Sequence, residues 1–313
     1  MRLVVIGTGG VGGFFGAKLH ASGQDVHFIA RGSHLAAMRQ NGLSVHSPDG
    51  NIHVPPEKFT DDPSTVGPAD VVFFCVKTYD TAAAARAMAP LLSRETLVIP
   101  LQNGVESEHT LQQLVSTGTV YSGVAYVYST ITAPGIITEA GKPRKIQFGP
   151  LAGTADDAQA AVVVRAFQEA RVDVEVLSDM RPALWKKFIF IAAVGGMTAV
   201  TRLTLGEILA IPRTSTLLEH AMRETDAVAR ALGVPLELGY VDSVFAKMSS
   251  YSNDTRSSLY HDLVNGKPME IDALSGAVAR FGAQLHVPTP VHEFFYAALL
   301  PHHLNHLRRR GGA

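Results

Sequence analysis

The pattern of apolar and polar positions changes character twice along the chain. Up to about residue 118, short continuous apolar runs alternate with mixed segments: Leu3–Ile6, Val26–Ala30, "DVVFFCVK" at 70–77 and "TLVIPLQNG" at 96–104, with a helical segment at 81–92 between the last two. Continuous runs that alternate with helices predict strands of a parallel sheet covered on both faces. Between residues 118 and 178 the runs shorten. "VYSGVAYVYSTI", "GIITEAG", "KIQFGP" and "VDVEVL" read as short strands joined by turns, expected to extend the sheet at one edge. From Met180 onward the segments are long and helical, at 180–202, 213–232, 236–250, 256–264, 270–285 and 289–307, with breaks at Gly233–Pro235, Gly266–Pro268 and Val287–Pro290. The expectation is an α/β chain: a doubly wound parallel sheet over residues 1–178, then an all-helical domain over 179–313.

One helical segment poses a question. In "ALWKKFIFIAAVGGMTAV", residues 183–200, two lysines head an almost wholly apolar run. Phe188–Val200 is 13 residues long, short of the roughly 20 that span a bilayer, so it reads as a buried core helix. A lysine at its start either extends its ammonium to the surface or is held in a cleft for a purpose.

Composition narrows the function classes. A chain of 313 residues that is 46% apolar and 18% charged can fill two cores. A formal net charge of −1 provides no field for nucleic acid or an anionic membrane, and the only basic cluster is Arg308–Arg310. The single cysteine, Cys75, excludes an intramolecular disulfide and suits a reducing compartment, so a cytoplasmic protein is expected. The N-terminal "MRLVVIGTGGVGGFFGAKLHA" has a positive residue and an apolar stretch, but its glycines would ruin a signal helix.

Those glycines carry a spacing with mechanical meaning. Gly7-x-Gly9-x-x-Gly12 follows the strand Leu3–Ile6 and opens a helix near Val11. In a Rossmann-type unit the first glycine allows a tight turn, the second lets backbone N–H groups approach a pyrophosphate, and the third lets helix and strand pack closely. The helix N-terminus adds partial positive charge. Gly7, Gly9, Gly10, Val11 and Gly12 are thus candidate dinucleotide contacts. After the second strand an NAD enzyme would carry Asp or Glu for the ribose 2′-OH. Here stands Arg31, in "ARGSH", while Asp25 lies at the strand's wrong end. A cation with a hydroxyl and an imidazole suits a 2′-phosphate, which favours NADP(H). Lys77, Gln102 and Asn103 stand at the carboxyl ends of later strands, where ligands of such sheets bind.

In "GTGGVGGFFGAKL", Arg31, "CVKT" at 75–78, "LQNGVES" at 101–107, "LWKKF" at 184–188 and "SSLYHDLVNGKPMEIDAL" at 257–274, the chain resembles the ketopantoate reductase (2-dehydropantoate 2-reductase) family nearly end to end. The resemblance implies NADPH-dependent reduction of 2-dehydropantoate to pantoate, in pantothenate and coenzyme A biosynthesis. It implies a catalytic lysine in Trp-x-Lys, which selects Lys187 over Lys186, and an acidic residue at Glu270, with Met269 in place of the usual threonine. It also implies a carboxylate-binding serine at Ser258, twelve residues before the glutamate, and an asparagine at Asn103 that serves cofactor and substrate. The chemistry suits these residue types. Hydride delivery to a ketone leaves an alkoxide that needs a proton. A desolvated lysine beside a second ammonium, that of Lys186, has its pKa lowered, and a carboxylate raises it again.

Two departures bear on the substrate. Where the family carries asparagines four and eight residues after the lysine, this chain has Ile191 and Gly195, which makes the wall more apolar and, at Gly195–Gly196, roomier. A longer polar stretch, "SSYSNDTRSS", precedes the serine, and its Ser249–Ser250 pair stands at the wrong distance from Glu270. A bulkier or more apolar 2-oxo acid is therefore the alternative substrate, and a non-catalytic NADP sensor the alternative class. Thr198, Thr201 or Arg202 could replace the missing amides. His302, His303 and His306 lie within one helical turn, but no metal-ligand spacing supports them and no metal is expected. His261 and Asp262 read as loop structure or cleft lining. The expected partner is a small-molecule 2-oxo acid, and the chain could act as a homodimer.

Overall fold

A computed structural model describes residues 1–153, 157–248 and 253–311. The chain divides into two compact units: Met1–Gln102 with Glu106–Met180, and Asn103–Val105 with Arg181–Ala313.

In the first unit a six-stranded sheet has the order Phe59–Thr60, Asp25–Ile29, Arg2–Ile6, Val71–Phe74, Leu97–Pro100, Thr119–Val120, and every pairing is parallel. Successive strand side chains point to opposite faces, and both faces are covered. Leu3, Val5 and Phe73 pack with Phe14, Phe15 and Phe167, whereas Val4, Ile6, Val72 and Phe74 pack with Ala85, Met88, Leu91 and Leu111. That double burial is why these strands read as continuous apolar runs. The chain winds away from Arg2–Ile6 in one direction and returns to its other side at Val71–Phe74. The carboxyl ends of these two strands therefore flank the point where such sheets bind ligands.

The strands of residues 118–178 depart from expectation. Among the described residues of this stretch, only Thr119–Val120 joins the parallel sheet. Ser122–Tyr126, Lys145–Gly149 and Asp173–Val176 form a separate three-stranded sheet, and Ser129–Ala133 and Ile136–Glu139 form a hairpin whose second strand pairs in parallel with Leu43–His46. For the hairpin the reason is local: Gly135, at φ +77°, closes the tight turn in "APG" that joins its two strands.

The second unit is helical, built around the helix Arg181–Thr201, in which Phe188, Ile189, Ala192, Ala193 and Met197 are wholly buried. By length and composition this helix could cross a membrane, but 67% of its most apolar window is buried inside the protein. Around it pack Pro212–Ala231, Ser258–Val264 and Pro290–Gly311. A short helix, Leu205–Ala210, was not anticipated. Its signal was present in Thr204-x-x-Glu207, a capping box in which each side chain accepts from the other residue's N–H. The helix expected over 270–285 begins only at Ser275, so Glu270 sits in the irregular turn before it.

Candidate active site

The glycine turn combines tight packing with one open position. Gly7 has φ +94°, and a Cβ there would lie 2.6 Å from the Val76 nitrogen. A Cβ at Gly12 would come within 2.3 Å of the Gly7 oxygen, and one at Gly10 within 2.4 Å of the Ser129 oxygen. At Gly9 a Cβ would meet nothing within 4 Å. The helix Gly10–Ala21 that follows has no side-chain cap and no acidic residue in its first turn, so its leading N–H groups remain available to an anion. Thr8 anchors the turn by donating its hydroxyl to the Ile29 oxygen (3.2 Å). An open glycine before uncapped amides fits the pyrophosphate of a dinucleotide.

Arg31 stands at the N-cap of the helix Gly32–Asn41, just past the strand Asp25–Ile29. Its guanidinium is 60% exposed and forms an ion pair with Asp80, which lies in the turn after Val71–Phe74. In the sheet order those two strands sit on either side of Arg2–Ile6, so the pair spans the end of the strand that carries the glycine turn. His34 does not join Arg31: its Nδ1 accepts from the Gly135 N–H (3.0 Å). Lys77 caps the same turn as Asp80. Gln102 donates to the Val76 oxygen (2.8 Å) and the Thr81 hydroxyl (2.9 Å), while its own Oε1 is buried without a partner among the described residues.

In the second unit the two lysines part ways. Lys186 Nζ donates to Glu237 Oε1 (2.6 Å) and lies 5.6 Å from the centre of the Tyr240 ring. Lys187 Nζ donates to Asn103 Oδ1 (2.9 Å). Burial pushes the Lys187 ammonium down to about 8, against an upward pull from the Glu270 carboxylate. The downward force is thus loss of water, not the neighbouring ammonium, which Glu237 engages. Trp185 fixes the helix start, stacking edge-on against Phe188 at 5.3 Å and lying 6.1 Å from Phe281. Glu270 is buried at 6% exposure.

The adjoining wall corrects one expectation and sharpens another. A Cβ at Gly196 would lie 2.1 Å from the Phe295 ring, so that space is filled; one at Gly195 would meet its nearest atoms, Leu274 Cδ1 at 3.7 Å and Leu259 Cδ2 at 3.8 Å, at ordinary contact distance. Thr198 and Thr201 do not stand in for amides. Thr198 is wholly buried, donates to the Val194 oxygen (2.8 Å) and pairs with Ser257 Oγ (2.6 Å), and Thr201 donates to the Met197 oxygen (2.6 Å). Arg202, at φ +61°, ends the helix. Of the serine pair, Ser257 caps the helix Ser258–Val264 and Ser258 is exposed at its first position. Ser249 and Ser250 lie outside the described residues.

The structure thus gathers Lys187, Asn103 and Glu270, and separately gathers the glycine turn with Arg31. Asp80 was missed, since an acidic residue 49 positions from its partner gives no local signal.

Both halves of the chain resemble known proteins. Residues 3–153 match the family described as ketopantoate reductase PanE/ApbA, and residues 179–302 match its C-terminal part. A 2-dehydropantoate 2-reductase of Halobacterium salinarum is 32% identical over 292 residues, 93% of this chain and 95% of that protein. The crystal structure of a PanE/ApbA family ketopantoate reductase from Ralstonia eutropha superposes with a TM-score of 0.89 at 32% identity, covering 98% of this chain and 100% of the other. A D-mandelate dehydrogenase, solved with NADH and anilino(oxo)acetate, shares the fold at a TM-score of 0.89 and 20% identity, over 98% of this chain and 99% of that one. With both halves matched and a relative aligned over nearly its whole length, the chain belongs to the ketopantoate reductase family, oxidoreductases that act on CH–OH groups.

Proposed function

We propose that this protein reduces a 2-oxo acid at the expense of NADPH, with 2-dehydropantoate the first candidate and Lys187 the proton donor. The observation that carries the reading is the environment of Lys187: a half-buried ammonium, bonded to Asn103 and drawn upward by Glu270, whose pKa loss of water pushes down to about 8. A general acid works best when its pKa lies near the operating pH. The first unit holds the cofactor through Gly7, Gly9, Gly10, Val11 and Gly12, with Arg31 and Lys77 toward a 2′-phosphate, and a bound nicotinamide cofactor supplies the hydride. The second unit holds the keto acid. Lys187 bonds the ketone oxygen and gives up its proton as negative charge builds there, Asn103 fixes the ammonium, Glu270 keeps it protonated, and Ser258 receives the substrate carboxylate.

Gly195 favours a second reading. With Leu259 and Leu274 the nearest neighbours of a Cβ there, at ordinary contact distance, and Ile191 one turn earlier, the wall suits a longer apolar side chain on the keto acid than that of 2-dehydropantoate. Family membership and the retained lysine and glutamate weigh against a pure NADP sensor.

The test is NADPH oxidation by the purified protein with 2-dehydropantoate beside 4-methyl-2-oxopentanoate and phenylglyoxylate, repeated with NADH. Faster turnover of 2-dehydropantoate with NADPH supports the first reading; preference for the bulkier acids replaces it with the second. Turnover of none of them refutes both.

A further inference from the structure

Three residues on one face of the helix Pro290–Gly311 grip the turn that carries Glu270. Tyr296 donates its hydroxyl to Asp272 Oδ1 (2.6 Å), His306 Nδ1 donates to the Lys267 oxygen (2.8 Å), and His303 Nδ1 receives the Met269 N–H at 3.0 Å. Spacings of seven and three residues put all three on the same side of the helix. A backbone amide can only donate, so Nδ1 of His303 must be the unprotonated nitrogen. Its proton therefore sits on Nε2, which faces Asp272 Oδ2 at 3.5 Å. His303 is only 2% exposed. The turn is thus held at residues 269 and 272, one on each side of the glutamate.

We propose that His303 is a positioning residue for the proton donor: by accepting from Met269 it fixes Glu270, and through Glu270 it sets how tightly Lys187 holds its proton. This rests on the assignment of Lys187 and Glu270 above. The step from His303 to Lys187 is electrostatic. The pull of a carboxylate on an ammonium falls with distance, and steeply once water enters between them. Without its anchor, the irregular turn is free to move the carboxylate outward. Among the groups that face His303, Asp272 comes from the turn and His306 from its own helix; burial, the largest effect, and His306 lower its pKa, Asp272 raises it, and the net direction is down. The imidazole is therefore neutral, and able to accept, at neutral pH.

The test reads the titration of Lys187 without any ligand, from the pH dependence of its trace acetylation by acetic anhydride, followed by peptide mass spectrometry. The proteins are the wild type, Glu270→Gln, His303→Leu, which accepts nothing, and His303→Asn, whose Oδ1 stands where Nδ1 was. Glu270→Gln is expected to lower the midpoint. His303→Leu should lower it at least half as far, and His303→Asn should keep the wild-type value. If Glu270→Gln shifts the midpoint and His303→Leu does not, the site reading stands and the role of His303 falls. If Glu270→Gln shifts nothing, both fall. Should His303→Leu fail to fold, His303→Ala, which also accepts nothing and is smaller, is read in the same way: a lowered midpoint supports the proposal, and the wild-type midpoint overturns it.

Discussion

The glycine turn of the first unit and the lysine cluster of the second use opposite parts of the polypeptide. The turn is made of main chain: its chemistry lies in the absence of side chains, and contact distances under 3 Å at Gly7, Gly10 and Gly12 dictate the residue type. The cluster is made of side chains from three separated segments, and nothing in the backbone at Lys187 demands a lysine. A site of the first kind constrains its own sequence; a site of the second constrains only the distances between residues.

Substitutions at each site can break this contrast. The largest effect is expected at Lys187. Lys187→Met should lower kcat by about 100- to 10,000-fold, the usual contribution of a positioned general acid, and leave NADPH binding by the first unit unchanged. It should also raise the melting temperature by about 2–4 °C, the shift for roughly 1 kcal/mol in a domain of this size. The sign follows from linkage: a lysine whose folded pKa of about 8 lies below its ordinary value destabilises the fold while protonated, and stability grows as pH rises from about 8 toward 10.5. In the wild type, kcat should fall over the same rise, because the donor loses its proton. A melting temperature that drops on substitution would mean that the ammonium contributes to the fold, and that the side-chain site is structural after all.

Gly9 gives the sharper test of the main-chain site. Gly9→Ala puts a methyl group where none of the described residues lies within 4 Å, at a backbone conformation of φ −85° that alanine accepts. The melting temperature should not move, and NADPH affinity should weaken by about tenfold or more, about 1.4 kcal/mol. A tenfold loss without destabilisation can come only from a ligand that occupies that space. Unchanged affinity would place the pyrophosphate elsewhere.

The smallest effect is expected at Asp80. Exposed ion pairs are worth roughly 0.2–1 kcal/mol, so Asp80→Asn should free Arg31 and lower the KM for NADPH by about two- to fivefold, with no change for NADH. Equal improvement with both cofactors would show that the pair does not act on a 2′-phosphate.

The same contrast explains what could be read from sequence. The parallel strands announced themselves because burial on both faces leaves no polar positions, and the helical half because its breaks fall at glycine and proline. The small sheets of residues 118–178 were hidden: short alternating strands do not say which neighbour they pair with. Within the helical half, Gly195 and Gly196 are identical letters, and only the Phe295 ring separates them by filling one space and not the other. The histidines near the C-terminus gave no sign that one of them is buried, because the turn that buries His303 lies 34 residues earlier. Contacts at such separations leave no periodic trace.

Asn103 has a further consequence. It enters the helical unit as part of a three-residue visitor, Asn103–Val105, whose flanking chain belongs to the sheet unit. Its bond to Lys187 joins residues 84 positions apart. A gene fragment that begins near residue 179 would therefore encode every helix of the second unit and still lack the partner of its central lysine. On the ribosome that partner emerges first and waits for the helix, so Lys187 gains its final environment only when the later half of the chain folds onto it. Splitting the gene between the halves is expected to yield fragments inactive singly, with activity recovered only on mixing.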